Sequence, residues 1–263
     1  MENEFDFKTE HKNKISAVRN DSIDFKEDLK AAKKGDLVAQ YSVAYCYETG
    51  KGVKQNYAKA AKWYEKAAEQ GDADAQYNLG VYYFNGQGVK RDYAKAVELY
   101  IKAAEQGNDN AQNNLGFCYS KGYGIELDYS KAVEWYIKSA EQGNAVAQCN
   151  LGFGYSKGHG MELDYSKAIE WYTKAAEQGN VVAQCNLGVC YEKGHGVEQD
   201  YTKAVEWYVK AAEQGDAYAQ YNLGVCYENG HGVEQNYDKA KEWYRKSEAQ
   251  GDVLAYRALK RLR

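Results

Sequence analysis

The six cysteines carry the most reactive side chains of this 263-residue sequence. They occupy two places of a 36-residue period: Cys46, Cys118, Cys190 and Cys226 share the first, and Cys149 and Cys185 share the second. Cys185 and Cys190 lie five residues apart, a poor spacing for two ligands of one metal on a helix, and the sequence has no C-x-x-C. The pattern therefore favours small buried thiols in a reducing compartment, and we expect no metal and no cofactor.

Three of the four histidines, His159, His195 and His231, also recur at a spacing of 36, each between two glycines. Equivalent atoms in adjacent layers of stacked helix pairs lie roughly 18 Å apart, which is too far for ligands of one metal. The glycine-rich segments lack the Lys-Ser/Thr pair of a phosphate-binding loop. We interpret these histidines as solvated turn residues, predict no catalytic residue, and expect that the protein is not an enzyme.

An asparagine stands before a Leu-Gly pair in five of the repeats: Asn78, Asn114, Asn150, Asn186 and Asn222, with Ser42 at the same place in the first repeat. Asparagine is a mediocre helix former, so its repeated use needs a reason. One interpretation is a hydrogen bond to a neighbouring loop. The other is an amide that lines a binding groove.

The elements that position these residues follow from the period itself. Glycine recurs every 36 residues from Gly35 to Gly251, which predicts six repeats without insertion: 35–70, 71–106, 107–142, 143–178, 179–214 and 215–250. Residues 24–34, within the segment 21–34, resemble the second half of a repeat, and residues 251–263 resemble the first half of a seventh. We predict a capping helix at each of these ends and expect residues 1–20, which lack the period, to be mobile.

Each repeat has the pattern of two helices. In 71–106, Asp72 and Asp92 are the predicted caps, and apolar residues follow each of them at helical spacing. The mid-helix Gly80 predicts the close approach of another helix backbone. Gln76, which recurs in every repeat, predicts hydrogen bonds between layers. The 26 tyrosines are then mostly core residues that fill the space between stacked helices.

The consensus A-x-x-x-L-G-x-x-Y-x-x-G-x-G-V-x-x-D-Y-x-K-A-x-x-W-Y-x-K-A-A-E-Q-G resembles the Sel-one-like repeat (SLR) family, a relative of the 34-residue tetratricopeptide repeat. The resemblance covers residues 35–250. It implies an all-α fold, a right-handed α-solenoid of six 36-residue helix-turn-helix repeats, and a role as adaptor or scaffold for other proteins. Tetratricopeptide domains that clamp a peptide carboxylate also use lysine or arginine nearby. Those places hold Tyr, Asn or Cys here, so the resemblance implies an amide-lined groove for a peptide backbone instead.

The first helices vary most between repeats along one stripe of positions at i, i+3, i+7 and i+10. We predict that this stripe forms the concave wall and binds the partner. The predicted contact residues are Tyr41, Tyr77, Asn78, Phe84, Asn114, Phe117, Asn150, Phe153, Asn186, Tyr218, Tyr221 and Asn222.

Composition narrows the classes of partner that the protein can bind. A net charge of −4 gives no bias towards nucleic acid or anionic membrane, and no apolar run reaches the roughly 20 residues of a membrane helix. The amino terminus does not read as a secretory signal. We expect a cytoplasmic monomer that binds a protein or peptide. The resemblance leaves two alternatives: a β-lactam hydrolase, as described for exported relatives whose paired cysteines are absent here, and an effector or quality-control adaptor.

Overall fold

The computed structural model describes residues 24–262; the predicted mobile segment 1–20 lies outside this range. All regular secondary structure in this range is helical, in fourteen helices. They are α1 (Phe25–Ala32), α2 (Leu37–Thr49), α3 (Tyr57–Glu69), α4 (Ala73–Asn85), α5 (Tyr93–Glu105), α6 (Asp109–Lys121), α7 (Tyr129–Glu141), α8 (Ala145–Lys157), α9 (Tyr165–Glu177), α10 (Val181–Lys193), α11 (Tyr201–Glu213), α12 (Ala217–Asn229), α13 (Tyr237–Glu248) and α14 (Val253–Arg261). The predicted all-α helical-repeat fold is confirmed.

The chain divides into two compact units, with the boundary between Trp135 and Tyr136, inside α7. In unit 1, α2 packs on α3 and α4 packs on α5, and each hairpin contacts the next helix along the chain. In unit 2, α8–α9, α10–α11 and α12–α13 form the same hairpins, and α14 packs on α13. Each element therefore contacts mainly its neighbours in sequence, as a repeat array requires.

Polar side chains begin the helices as predicted. Asp72 Oδ1 accepts a hydrogen bond from the backbone N–H of Ala75 at 2.8 Å, and Asp92 Oδ1 accepts one from Lys95 at 3.1 Å. An equivalent Asn or Asp caps α3, α6, α8, α11 and α13 in the same way. Each cap satisfies a backbone donor that the first turn of the helix leaves without a partner.

A recurrent glutamine joins successive elements of the stack. Gln76 Nε2 donates to the backbone carbonyl of Ala68 at 3.2 Å, and Gln106 Nε2 donates to Gln76 Oε1 at 2.8 Å. The same pair of bonds recurs around Gln184, with Ala176 at 3.1 Å and Gln214 at 2.7 Å. The predicted hydrogen bonds between layers are confirmed.

The mid-helix glycine makes room chiefly for an aromatic ring. A Cβ atom at Gly80 would lie 2.7 Å from Cε1 of Tyr100 and 3.3 Å from the carbonyl oxygen of Ala96. Tyr100 belongs to the second helix of the same hairpin and is fully buried. The prediction of a close backbone approach is therefore right only in part, because the ring is the closer neighbour. Tyr64, Tyr82, Tyr208 and Tyr244 are also fully buried, which confirms that tyrosine is a core residue here.

Candidate functional site

The six thiols are free and buried in the helix cores. Burial raises the pKa of Cys118, Cys149 and Cys226 to about 12 and that of Cys190 to about 11. Burial and the nearby Asp28 carboxylate raise the pKa of Cys46 to about 11. A thiol that stays protonated is a poor nucleophile and a poor metal ligand. Between residues 24 and 262, no group of three or more His, Cys, Asp or Glu side chains is placed to hold a metal ion.

Two of the three turn histidines lie against tyrosine rings of the preceding repeat. His195 stacks on Tyr165 with ring centroids 4.7 Å apart, and His231 stacks on Tyr201 at 4.5 Å. His195 is exposed, as predicted for a solvated turn residue, and His231 is half-buried; both also stack on tyrosine because the Gly-x-Gly turn docks on the start of the preceding second helix. A Cβ at Gly196 would lie 2.6 Å from the backbone carbonyl carbon of Tyr165. These histidines therefore cover a repeat junction.

The asparagines of the first helices differ in their hydrogen-bond partners. Asn78 Nδ2 donates to the hydroxyl of Tyr41 at 3.0 Å. The residue that corresponds to Tyr41 for Asn222 is Cys185, and Asn222 Nδ2 is buried without a hydrogen-bond partner. The bond of Asn78 is to a tyrosine and not to the predicted neighbouring loop, whereas Asn114 Oδ1 accepts a hydrogen bond from Asn113 Nδ2 at 3.3 Å. At Asn222 the replacement of tyrosine by cysteine removes the acceptor.

In unit 1 the predicted stripe is largely buried. Tyr77, Phe84 and Phe117 are each 9% exposed, and Asn78 and Asn114 are 2% exposed, while Tyr41 is half-buried. The ring of Phe84 lies 4.9 Å from that of Tyr93 and 6.3 Å from that of Phe117. Tyr123 stacks on Tyr93 at 5.1 Å and closes this cluster. Sequence analysis missed this burial, because it depends on the packing of Tyr123 against Phe84 and Tyr93 of the repeat before it.

In unit 2 more of the stripe is open, although Val38 on α2 of unit 1 is also 46% exposed. On α8, α10 and α12, Phe153 is 47% exposed, Val182 39% and Tyr218 44%. The remaining predicted residues of this unit are half-buried: Asn150, Asn186, Tyr221 and Asn222. Exposed apolar side chains and amide groups therefore occur together on the first helices of unit 2.

A set of Tyr–Glu pairs lies at the end of the stripe and was not predicted. Tyr64 donates its hydroxyl to Glu48 at 2.6 Å, Tyr208 donates to Glu192 at 2.6 Å, and Tyr244 donates to Glu228 at 2.7 Å. The recurrence of Glu and Tyr sixteen residues apart in three repeats is the signal that could have identified these pairs. They join the two helices of one hairpin.

None of the helices within 24–262 is long and apolar enough to cross a bilayer.

A comparison with curated proteins returned no match. Solved structures do match. A protective antigen of uropathogenic Escherichia coli with an SLR fold is 39% identical, with a TM-score of 0.84; the alignment covers 90% of this chain and 51% of that one. This chain thus spans about half the length of that antigen.

Two further structures show the extent of the likeness. A Sel1 repeat protein from Oxalobacter formigenes is 32% identical with a TM-score of 0.76, over 86% of this chain and 97% of that one. An immunity protein from Pseudomonas aeruginosa shares the fold at 23% identity and a TM-score of 0.51, over 81% of each chain.

The sequence itself matches the Sel1 repeat in six consecutive segments: 37–72, 73–108, 109–144, 145–180, 181–216 and 217–252. Their lengths equal the period found in the sequence, and each segment contains one helical hairpin. This chain is therefore a member of the Sel1 repeat family, whose members are generally non-enzymatic scaffolds with a fold typical of protein-interaction modules.

Proposed function

We propose that this protein is a non-enzymatic scaffold or adaptor that holds a peptide or an extended protein segment on the first helices of unit 2. The observation that carries the proposal is the exposure of Phe153, Val182 and Tyr218 on three successive first helices. Large apolar side chains at the surface are the usual anchors of protein interfaces, and aromatic residues contribute most to them.

The neighbouring amides suit the backbone of such a partner. An extended segment presents carbonyl oxygens along its length, and these need hydrogen-bond donors when they leave water. Asn150, Asn186 and Asn222 supply side-chain amides beside the exposed apolar residues. Asn222 Nδ2 is buried without a hydrogen-bond partner, so this side chain would have to rotate outward to donate to the partner.

The predicted residues of unit 1 have a supporting role in this proposal. Tyr77, Asn78, Phe84, Asn114 and Phe117 are buried, so they stabilise the helices and do not offer their faces to a partner. Tyr41 is half-buried and already accepts the hydrogen bond of Asn78. The proposed contact surface is therefore narrower than the twelve residues predicted from sequence.

We also infer a monomer in the cytoplasm that binds protein, not nucleic acid or membrane. Six free thiols support a reducing compartment, and the net charge of −4 gives no attraction to phosphate. An effector or quality-control adaptor would use the same surface. The hydrolase alternative predicts turnover of a chromogenic β-lactam, whereas the scaffold proposal predicts the uncatalysed rate.

Site-specific photo-crosslinking tests the proposed surface. The photoreactive amino acid p-benzoylphenylalanine would replace Phe153 in one variant and Lys174, exposed on the second helix α9, in the other. We expect position 153 to capture one protein reproducibly in source cells, and position 174 to capture little. Capture of the same protein from position 174 alone would contradict the placement of the site.

A further inference from the structure

The last two helices of unit 2 form an open cleft that the proposed function does not use. Its volume is about 180 Å³, and it is lined by Lys241, Arg245, Glu248, Tyr256, Leu259 and Lys260. Outside the cleft, Arg261 on α14 donates to both carboxylate oxygens of Glu228, at 2.6 and 2.8 Å. This contact joins α14 to the sixth repeat.

The charges in the cleft are unbalanced. Three cations line it against one carboxylate, Glu248. Lys260 Nζ lies 4.6 Å from the ring centroid of Tyr256. Lys241 and Arg245 have no ion-pair partner anywhere in residues 24–262. An anionic group that entered the cleft would thus meet cations whose charge is not already neutralised.

The repeat pattern shows that two of these cations replace packing residues. Lys241 stands where the earlier repeats have an apolar residue: Ala61, Val97, Val133, Ile169 and Val205. Lys260 occupies the position that a mid-helix glycine has in most of the other first helices. That glycine makes room for a tyrosine ring, as Gly224 does for Tyr244. The cleft therefore occupies the place that the second helix of a repeat fills elsewhere, but its walls are charged.

We propose that this cleft binds an acidic segment of a protein partner, in the place that a second helix would take. The carboxylates of the segment would contact Lys241, Arg245 and Lys260, and its apolar side chains would pack on Tyr256 and Leu259. Charge complementarity selects this occupant, because an apolar helix like those of the earlier repeats would leave the two cations buried without partners. The site is separate from the first-helix stripe and does not depend on it.

Two fluorescein-labelled peptides test the proposal by fluorescence anisotropy on the full chain. One is a 14-residue helix former with glutamate and leucine at amphipathic spacing; the other has lysine in place of each glutamate. We expect the acidic peptide to bind and the basic peptide not to bind. Lys241→Ala with Arg245→Ala should weaken binding at least tenfold, whereas Lys241→Arg with Arg245→Lys, which keeps the charge, should retain it.

A matched control separates this cleft from general charge attraction. Lys239→Ala with Lys246→Ala removes the same charge from the same helix, and these side chains lie over Tyr227 and Trp243, outside the cleft. It should change binding less than twofold. Equal weakening by the two double variants would overturn the proposal, as would no binding of the acidic peptide at 1 mM. Self-association of the free protein that Lys241→Ala with Arg245→Ala abolishes would assign the cleft to a second copy instead.

Discussion

At the scale of single residues, the buried tyrosine of each second helix shows how neighbouring repeats differ. Tyr208 donates its hydroxyl to Glu192, but in the repeat of Tyr100 the position equivalent to Glu192 holds Phe84. The Tyr100 hydroxyl is buried without a hydrogen-bond partner. The same ring thus stabilises both repeats by packing, while its hydroxyl contributes to only one of them.

This difference predicts different effects on stability when each tyrosine is replaced by phenylalanine. Tyr208→Phe should cost about 1–2 kcal/mol of unfolding free energy, because Glu192 loses a short hydrogen bond. Tyr100→Phe should be neutral or slightly stabilising, because it removes an unsatisfied buried hydroxyl. Urea denaturation of both variants measures the difference. An equal loss in the two would mean that Tyr100 has a partner in solution.

The thiols predict a loss of stability in alkali. Their pKa values are raised in the folded chain, to about 12 for Cys118 and Cys226. Unfolded thiols ionise near pH 9, so the unfolded state releases protons that the native state retains, and stability falls as the pH rises from 9 towards 12. At pH 10 each such thiol should lower the unfolding free energy by about 1 kcal/mol relative to pH 8.

Urea midpoints at pH 8, 9 and 10 measure this effect. Tyrosine ionisation adds to it as the pH approaches 10, so the fall between pH 8 and 9 reports mainly the thiols. Cys118→Ala with Cys226→Ala should flatten the fall between pH 8 and 10, although it lowers the midpoint at every pH. A fall as steep as that of the parent protein would show that other groups titrate there.

At the scale of elements, two glycines of one repeat junction have different reasons to be glycine. Gly179 ends a second helix with φ +89° and has no neighbour within 4 Å of an added Cβ. Gly196 has φ +73°, and its added Cβ would meet the backbone of Tyr165 at 2.6 Å. Backbone conformation alone requires the first glycine, whereas the second also permits the close approach of two repeats.

We expect the two glycines to lose different amounts of unfolding free energy when each is replaced by alanine. Gly179→Ala should cost about 1–2 kcal/mol, the usual penalty for a side chain in the left-handed region. Gly196→Ala should cost about 2–4 kcal/mol, because overpacking against a fixed backbone adds to that penalty. Thermal unfolding of the two variants compares them directly. Equal costs would mean that the turn moves away from Tyr165 without loss.

The same comparison shows what could be predicted from the sequence. The helices and their caps follow from local chemistry at a fixed period, so Asp72 and Asp92 could be predicted without coordinates. The burial of Phe117 could not be predicted. It depends on Tyr123 of the same repeat, which packs on Phe117 and stacks on Tyr93 of the repeat before. Exposure along the stripe is a property of contacts between repeats, and the residues of one repeat do not specify it.

At the scale of the whole molecule, stability should add up from repeats and their junctions, since each hairpin contacts mainly its sequence neighbours. Deleting residues 107–178 joins Gln106 to Gly179 in register, because two whole periods are removed. We expect a helical, monodisperse product with a lower melting temperature, measured by circular dichroism and size-exclusion chromatography. An insoluble or unfolded product would indicate long-range contacts that a repeat array lacks.

The binding surface is the central claim for the molecule, and burial decides which of its side chains can test it. Phe117 and Phe153 occupy equivalent positions, but Phe117 is buried in a ring cluster, so Phe117→Ser would perturb the core. Phe153 and Tyr218 are both exposed and are the better pair. Lys62 and Lys138, exposed on second helices, provide the matched control.

The most direct measurement is the dissociation constant of the crosslinked partner, determined by isothermal titration calorimetry for three proteins: the parent chain, Phe153→Ser with Tyr218→Ser, and Lys62→Ser with Lys138→Ser. The first-helix surface predicts that the aromatic pair weakens binding by more than about 1 kcal/mol, roughly fivefold or more, and that the lysine pair changes it little. Loss of binding in the lysine pair with full binding in the aromatic pair would contradict the account and place the partner on the second helices.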